Sequence, residues 1–331
     1  MEITRVMDVL VICVPVFAVL GLGKLLGIKG RINEEHCRFI NWLVYTFSLP
    51  ALIINEVSRQ RFDSFMDPAV VLMPILGLLI ITAVTMLIAR INGYKGGFAA
   101  AFVFGTFWGN ATYVGFPLCQ NAFGSEGLAK AAIYNGFVVP FFILTGYALI
   151  GFYGAGTGET RFISRVKTAV LNPILLSAVF GIGVALAGEQ LRGADGELAL
   201  PLVAESSLSL ISSFMKMIGS MGLPLALLSI GASLKWEQTR AHLGALAWTV
   251  GAKLLIFPLI VFTLVRMFCP DSSAEALGVS VILSSVPSAV AMYVISCAVG
   301  VERGFVSSML VISTALSVIT IPLWVYAVTG Y

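Results

Sequence analysis

Two short polar stretches interrupt otherwise apolar segments of this chain. Gly109-Asn110-Ala111-Thr112-Tyr113-Val114-Gly115-Phe116-Pro117 falls inside the segment 97–123, and Ser284-Ser285-Val286-Pro287-Ser288 falls inside 275–299. Asn110 offers two donors and an acceptor, and Thr112 and Tyr113 add hydroxyl groups. Gly109 and Gly115 let a ligand approach the backbone closely. Asn135 and Ser288 are further polar side chains beside these stretches. Such groups recognise a solute without making or breaking bonds. Pro117 and Pro287 suit the first turn of a restarted helix, where a missing N–H costs nothing. Each restarted helix would aim its positive end at the break, which favours an anion, although the opposing helix C-termini offset part of that field.

A lysine adds charge to this picture. Lys253, in Val250-Gly251-Ala252-Lys253-Leu254-Leu255-Ile256-Phe257-Pro258, falls near the centre of an apolar segment. An ammonium there costs about 2.5–3.5 kcal/mol on insertion scales, so it must face the protein interior and find a partner. It reads either as a fixed positive charge, neutralising helix C-terminal ends or balancing an anionic substrate, or as a cap on backbone carbonyls with a structural role alone. Lys216 falls near the end of its segment and is expected to reach for the interface. No Asp or Glu lies near the middle of any apolar segment, and His36 and His242 both fall at segment boundaries. A carboxylate proton relay, or a sodium site built on a carboxylate, therefore has no obvious members. Neither a His-Glu-x-x-His pattern nor a buried aspartate pair is present, so an enzyme is disfavoured and no cofactor or metal is expected. The five cysteines are scattered and show neither a disulfide framework nor a zinc spacing.

The elements that carry these residues follow from composition. Hydrophobic residues make up 58% of 331 residues and charged ones 11%, with a mean hydropathy of +0.97. A soluble domain carries about 25% charged residues. The chain is an all-α integral membrane protein, with the lipid bilayer as its first partner. The small net charge of +3 and the lack of a basic run exclude nucleic acid. Apolar runs predict ten spans, at about 8–27, 37–55, 68–91, 97–123, 126–153, 172–188, 206–234, 242–268, 275–299 and 303–329. The segment after Met1 reads as a retained first span rather than a signal peptide. Loops on one side carry twelve Lys and Arg against six on the other. The positive-inside rule then places both termini outside the cytoplasm and the basic connection 154–171 within it. That connection divides the chain into five-span halves, 1–153 and 172–331, and an odd number of spans inverts the second half. Echoes between the halves support a repeat: Gly21-Leu22-Gly23 with Gly181-Ile182-Gly183, Leu49-Pro50 with Leu223-Pro224, Arg90 with Arg266 and Pro117 with Pro287. Paired, interrupted spans in two inverted halves point to the binding site of a secondary transporter.

Gly109-Asn110 followed by Gly115-Phe116-Pro117-Leu118 resembles the span-four signature of the auxin efflux carrier family. Leu49-Pro50-Ala51-Leu52, Lys253 ahead of Pro258, and Pro287-Ser288-Ala289-Val290 match its other recurrent features. The resemblance runs over essentially the whole chain. It implies two inverted five-span repeats with spans four and nine crossing at their prolines. It also implies a scaffold of spans 1, 2, 6 and 7 that often forms a homodimer, and a moving transport domain of spans 3–5 and 8–10. Plant members export the anionic hormone auxin, and bacterial members are associated with malate, malonate and related carboxylates. Asn110 carries over as a substrate contact, and Pro117 and Pro287 as the crossover. Tyr113 and Val114 stand where smaller residues are usual, and the connection of about 18 residues lacks the long cytoplasmic loop of many plant members.

The expected protein is a plasma-membrane (inner-membrane) secondary transporter that exports a small organic anion by alternating access. Asn110, Thr112, Tyr113, Asn135 and Ser288 would contact substrate. Gly109, Gly115, Pro117 and Pro287 would shape the crossover, and Lys253 would balance charge or couple transport. Three other classes compete with this reading. A sodium-coupled importer of bile-acid type would need sodium ligands around the breaks. A membrane receptor would be expected to carry a signalling domain, and an intramembrane enzyme would need a catalytic cluster.

Overall fold

The computed structural model describes residues 2–58, 67–154, 173–191, 202–233, 243–289, 292 and 302–329. The connection expected at 154–171 lies outside the described residues beyond Gly154, as do Val290, His242 and most of the second part of span nine. Among the described residues every regular element is helical, and the only strand-like pairing is one isolated bridge.

The helices are α1 (Glu2–Ile28), α2 (Glu34–Leu43), α3 (Leu49–Val57), α4 (Pro68–Ile91), α5 (Gly96–Phe104), α6 (Phe116–Phe152), α7 (Pro173–Leu191), α8 (Leu202–Ser220), α9 (Gly222–Ser233), α10 (Leu243–Gly251), α11 (Phe257–Phe268), α12 (Ala274–Ser285) and α13 (Arg303–Thr329). Among the described residues, seven helical runs are long and apolar enough to cross a membrane: Val11–Ile28, Glu34–Val57, Pro68–Ile91, Ala111–Phe152, Ser209–Ser233, Leu243–Phe268 and Gly304–Thr329. Shorter apolar helices cover Leu176–Ala187 and Ala274–Ser285. Gly124, at φ 62° and ψ −147°, breaks α6 where the sequence predicts the end of span four.

Three widened turns of π-helix follow one rule. Val44–Ser48, Ala111–Gly115 and Ala252–Ile256 each run directly into a helix whose second residue is proline: Pro50, Pro117 and Pro258. Proline removes the N–H that would serve the carbonyl four residues back, and its ring crowds that carbonyl. The N–H of the preceding residue reaches five back instead, from Leu49 to Val44, Phe116 to Ala111 and Phe257 to Ala252. One carbonyl released in this way, that of Leu254, accepts the Trp324 indole N–H at 2.8 Å. Several helix starts are capped by side chains. Asn33 and His36 form a capping box at the start of α2, which gives His36 a local structural role. Asp67 caps α4 and Ser273 caps α12.

α1 packs closely on α9 through glycine. A methyl group on Gly27 would lie 2.9 Å from Ala232 Cα, and one on Gly231 would lie 2.8 Å from the Lys24 nitrogen. α3 packs on α7 and α8, where Gly181 meets Val57 and Gly219 meets the Leu52 backbone. Small residues bring backbones together where apolar lipid gives helices no hydrophobic reason to associate. α12 packs against α4, α6, α11 and α13, and that second cluster carries both interrupted segments.

Candidate functional site

The two interruptions meet. Gly109 and Ser288 form an antiparallel bridge. The Asn110 N–H donates to the Pro287 carbonyl at 2.7 Å, and the Ala289 N–H donates to the Trp108 carbonyl at 3.2 Å. Each break thus satisfies backbone groups that the other leaves open, as apolar surroundings require. The Ser288 N–H is held by Ser313 Oγ of α13 at 3.1 Å. Pro287 sits in the extended backbone of the join itself. Pro117 lies beyond it, in the first turn of α6. Only Pro117 therefore has the first-turn position expected for both.

Lys253 is fully buried beside this join. The widened turn Ala252–Ile256 carries it, and its ammonium donates to the Ser284 carbonyl in the last turn of α12. That places a cation at a helix C-terminus, the end whose dipole favours it. The ammonium lies 5.2 Å from the centre of the Phe257 ring. Lys253 has no carboxylate partner among the described residues, whereas Lys130 pairs with Glu126 at 3.1 Å. A Cβ on Gly109 would stand 2.8 Å from both Cε and Nζ of Lys253 and 2.7 Å from a Val286 methyl. Gly109 is small because the lysine passes over it. A Cβ on Gly115 would meet the Leu283 side chain, so Gly115 serves packing between the widened turn Ala111–Gly115 and α12.

The polar candidates of the first interruption form a second group. Asn110 Oδ1 accepts from the Tyr113 N–H at 3.3 Å, and its carbonyl accepts from Val114 and Gly115 at 3.1 and 3.3 Å. Asn110 thus caps the helix that restarts after it. Asn135 donates through Nδ2 to Thr112 Oγ1 at 2.6 Å, which ties span five to the break. Tyr113 is half-buried and lies near Tyr45. Ser288 Oγ is buried without a hydrogen-bond partner among the described residues.

A cavity of about 290 Å³ opens between α1, α3, α8 and α9 on one side and the start of α6 on the other. Pro117, Gln120, Glu56 and Lys216 are among its lining residues. The sequence places Lys216 at the interface; the structure puts it on this wall, exposed. Asn121 is a structural member, since its Nδ2 donates to the Ile12 carbonyl at 3.0 Å. Sequence reasoning gave Ser284, the first residue of the second interruption, no role of its own, because its contribution is a main-chain carbonyl that no residue type signals. It also passed over Ser313, a hydroxyl on a long helix with no motif around it. Lys130 reads from the sequence as a loop cation, but it is 4% exposed within α6.

The relatives of this chain are transporters. The membrane transport protein family model matches residues 8–325. A protein of Methanothermobacter thermautotrophicus named "Uncharacterized transporter" is 26% identical over 92% of this chain and 93% of its own length. "Uncharacterized transporter YfdV" of Escherichia coli K12 is 25% identical over 94% and 95%. A Rhizobium meliloti protein named "Putative malonate transporter" is 22% identical over 93% and 92%. A match over nearly the whole length, on a helical chain whose two interrupted spans join at a buried lysine, gives one answer: the chain belongs to the membrane transport protein family, that of the auxin efflux carriers.

Proposed function

We propose that this protein is a secondary transporter that exports a small organic anion, a mono- or dicarboxylate, by alternating access at the join between spans four and nine. The observation that carries this reading is Lys253, a buried cation beside two paired helix breaks with no carboxylate partner among the described residues. Its charge faces the Ser284 carbonyl, so the negative end of α12 already has a counter-charge and needs no coupling sodium. The unpartnered Ser288 hydroxyl is available to a solute at the same place. On this reading Asn110, Thr112, Tyr113 and Asn135, grouped at the first break, contact the solute.

On this reading the long Ala111–Phe152 run divides at Gly124 and α7 and α12 are crossings, which makes ten spans, arranged as two inverted halves. α1, α2–α3, α7 and α8–α9 form the scaffold, the surface through which a homodimer would form. α4 to α6 and α10 to α13 form the transport domain. The cavity lined by Pro117, Gln120 and Lys216 lies on the boundary between the two and is the approach path for the anion. Its volume is at the low end of ligand pockets, which suits a small solute. The relative named for malonate supports a dicarboxylate, weakly at 22% identity.

An inside-negative potential of 100 mV is worth about 2.3 kcal/mol per charge and drives anion export without a coupling ion. Proteoliposomes loaded with labelled malonate test this reading. Efflux should saturate with internal malonate, quicken when a potassium diffusion potential makes the interior negative, and persist when choline replaces sodium. Strict dependence on sodium would return the assignment to a sodium-coupled carrier. Absence of movement for malonate, malate and monocarboxylates alike would remove the organic-anion reading.

A further inference from the structure

A second cavity lies at the membrane interface, away from the join. It holds about 400 Å³ between the end of α4, the turn into α5 and the end of α6. Met86 and Leu87 give it an apolar floor, Phe152 and Tyr153 an aromatic wall, and Arg90 and Lys95 a basic rim. A tight turn sets its basic rim. Gly93, at φ 68°, ends α4 with the Tyr94 N–H on the Ala89 carbonyl and the Gly93 N–H on the Arg90 carbonyl, at 2.9 and 3.1 Å. This turn sets Lys95 close after Arg90. Gly154, at φ 65°, follows the end of α6 beside the aromatic wall.

Three observations say what this cavity takes. It is cationic: among the described residues Arg90 and Lys95 are its only charged lining side chains, and no described carboxylate lines it. α5 begins at this turn with Lys95 in the capping position and no side-chain acceptor on its first N–H groups, which leaves a positive helix end facing the interface. Its apolar side is open to the hydrocarbon, with Leu87 58% and Phe152 71% exposed. A soluble anion uses the first two features and wastes the third. We propose that this cavity is a binding site for an anionic phospholipid, with the headgroup phosphate between Arg90 and Lys95 and an acyl chain along Leu87 and Phe152. The loop charge bias assigns this turn to the cytoplasmic leaflet, whose surface is rich in anionic lipid. The site rests on none of the residues assigned to transport.

The test uses the purified full-length protein in neutral detergent, with thermal unfolding followed as phosphatidylglycerol, phosphatidylcholine of matched chains, or inorganic phosphate is added. Phosphatidylglycerol should raise the transition well above the phosphatidylcholine value, and inorganic phosphate should leave it unmoved. The double substitution Arg90→Gln with Lys95→Gln should weaken the phosphatidylglycerol response about 30-fold in concentration. Arg90→Lys with Lys95→Arg keeps both charges and should retain the response, as should Lys29→Gln with Arg31→Gln at a different basic turn. Native mass spectrometry of wild type should show phosphatidylglycerol retained in preference to phosphatidylcholine, which reads the site even if the neutral variant folds poorly. Equal responses to the two lipids, or a full response in the neutral variant, would overturn the site. A matching response to inorganic phosphate would make it a soluble-anion site and overturn the lipid assignment.

Discussion

The ammonium of Lys253 rests on the main-chain carbonyl of Ser284, where α12 gives way to the extended backbone that pairs with Gly109. Three separate segments therefore meet at one charge: the widened turn of span eight, the end of α12 and the break in span four. Movement of any one of them alters the surroundings of the other two.

Lys253→Met separates a transport role from a structural one. Methionine fills much of the same volume, and relief from burying a charge offsets the roughly 1–3 kcal/mol of leaving the Ser284 carbonyl unpaired, so stability should change little. Transport should fall about 10- to 100-fold, the worth of a hydrogen bond from a charged group. Efflux from proteoliposomes, read beside the thermal transition, checks both halves. A lysine that only capped carbonyls would give the reverse: a less stable protein with normal flux.

Asn110→Ala removes a helix cap and, on the proposed function, a substrate contact. Loss of the cap should cost about 1 kcal/mol, leaving a folded protein with a slightly lower transition. Saturable malonate binding should disappear. Asn110→Ser retains a capping oxygen and should recover the stability without the binding. Unchanged affinity in Asn110→Ala would confine this residue to its observed role as a cap for Tyr113.

The existence of both breaks was legible in the sequence, because glycine, asparagine and proline inside apolar runs announce where a helix stops. That they meet was implied only by the family resemblance, and the groups that join them were not legible. Residues 109 and 288 are joined through main-chain groups, and main-chain groups carry no side-chain signature. Lys253 was conspicuous as a charge in an apolar segment, whereas its acceptor could have been any carbonyl in reach. Proline was read correctly at Pro117 as a helix start, but the same rule applied to Pro287 missed that the extended backbone continues through it. Lys130 misled because a position near a predicted span end looks like a loop; its ion pair with Glu126, one helical turn away, lets it be buried instead. Local chemistry is written along the chain, and long-range partners are decided by packing.

The Gly21-Leu22-Gly23 motif should divide cleanly. A methyl on Gly21 meets nothing within 4 Å, while one on Gly23 runs into the Leu228 backbone. Gly21→Ala should leave the protein as stable or up to about 1 kcal/mol more so, from the helix propensity of alanine. Gly23→Ala should force α1 away from α9 and cost about 1–3 kcal/mol. Denaturation in mixed micelles reads the difference directly. Equal effects at the two positions would mean that the close approach of α1 and α9 is not what holds this pair.

Trp324 and Pro258 should be coupled, because the proline creates the acceptor that the indole fills. Pro258 has no N–H for the Leu254 carbonyl, and Trp324 Nε1 supplies one across the helix interface at 2.8 Å. Trp324→Phe keeps an aromatic ring and leaves that carbonyl unpaired in apolar surroundings, at a cost of about 1–3 kcal/mol. Pro258→Ala restores an N–H at position 258 and lets the turn Ala252–Ile256 close as ordinary α-helix. In that background the indole is no longer needed, so Trp324→Phe should cost about 1 kcal/mol less than it does in wild type. Closing the turn also rotates Lys253 away from the Ser284 carbonyl, so Pro258→Ala should lower transport even where it raises stability. A cycle with no coupling would show that the indole holds the last helix by ring packing alone. Coupling in stability together with loss of flux in Pro258→Ala would show that the widened turn is kept for the position it gives Lys253.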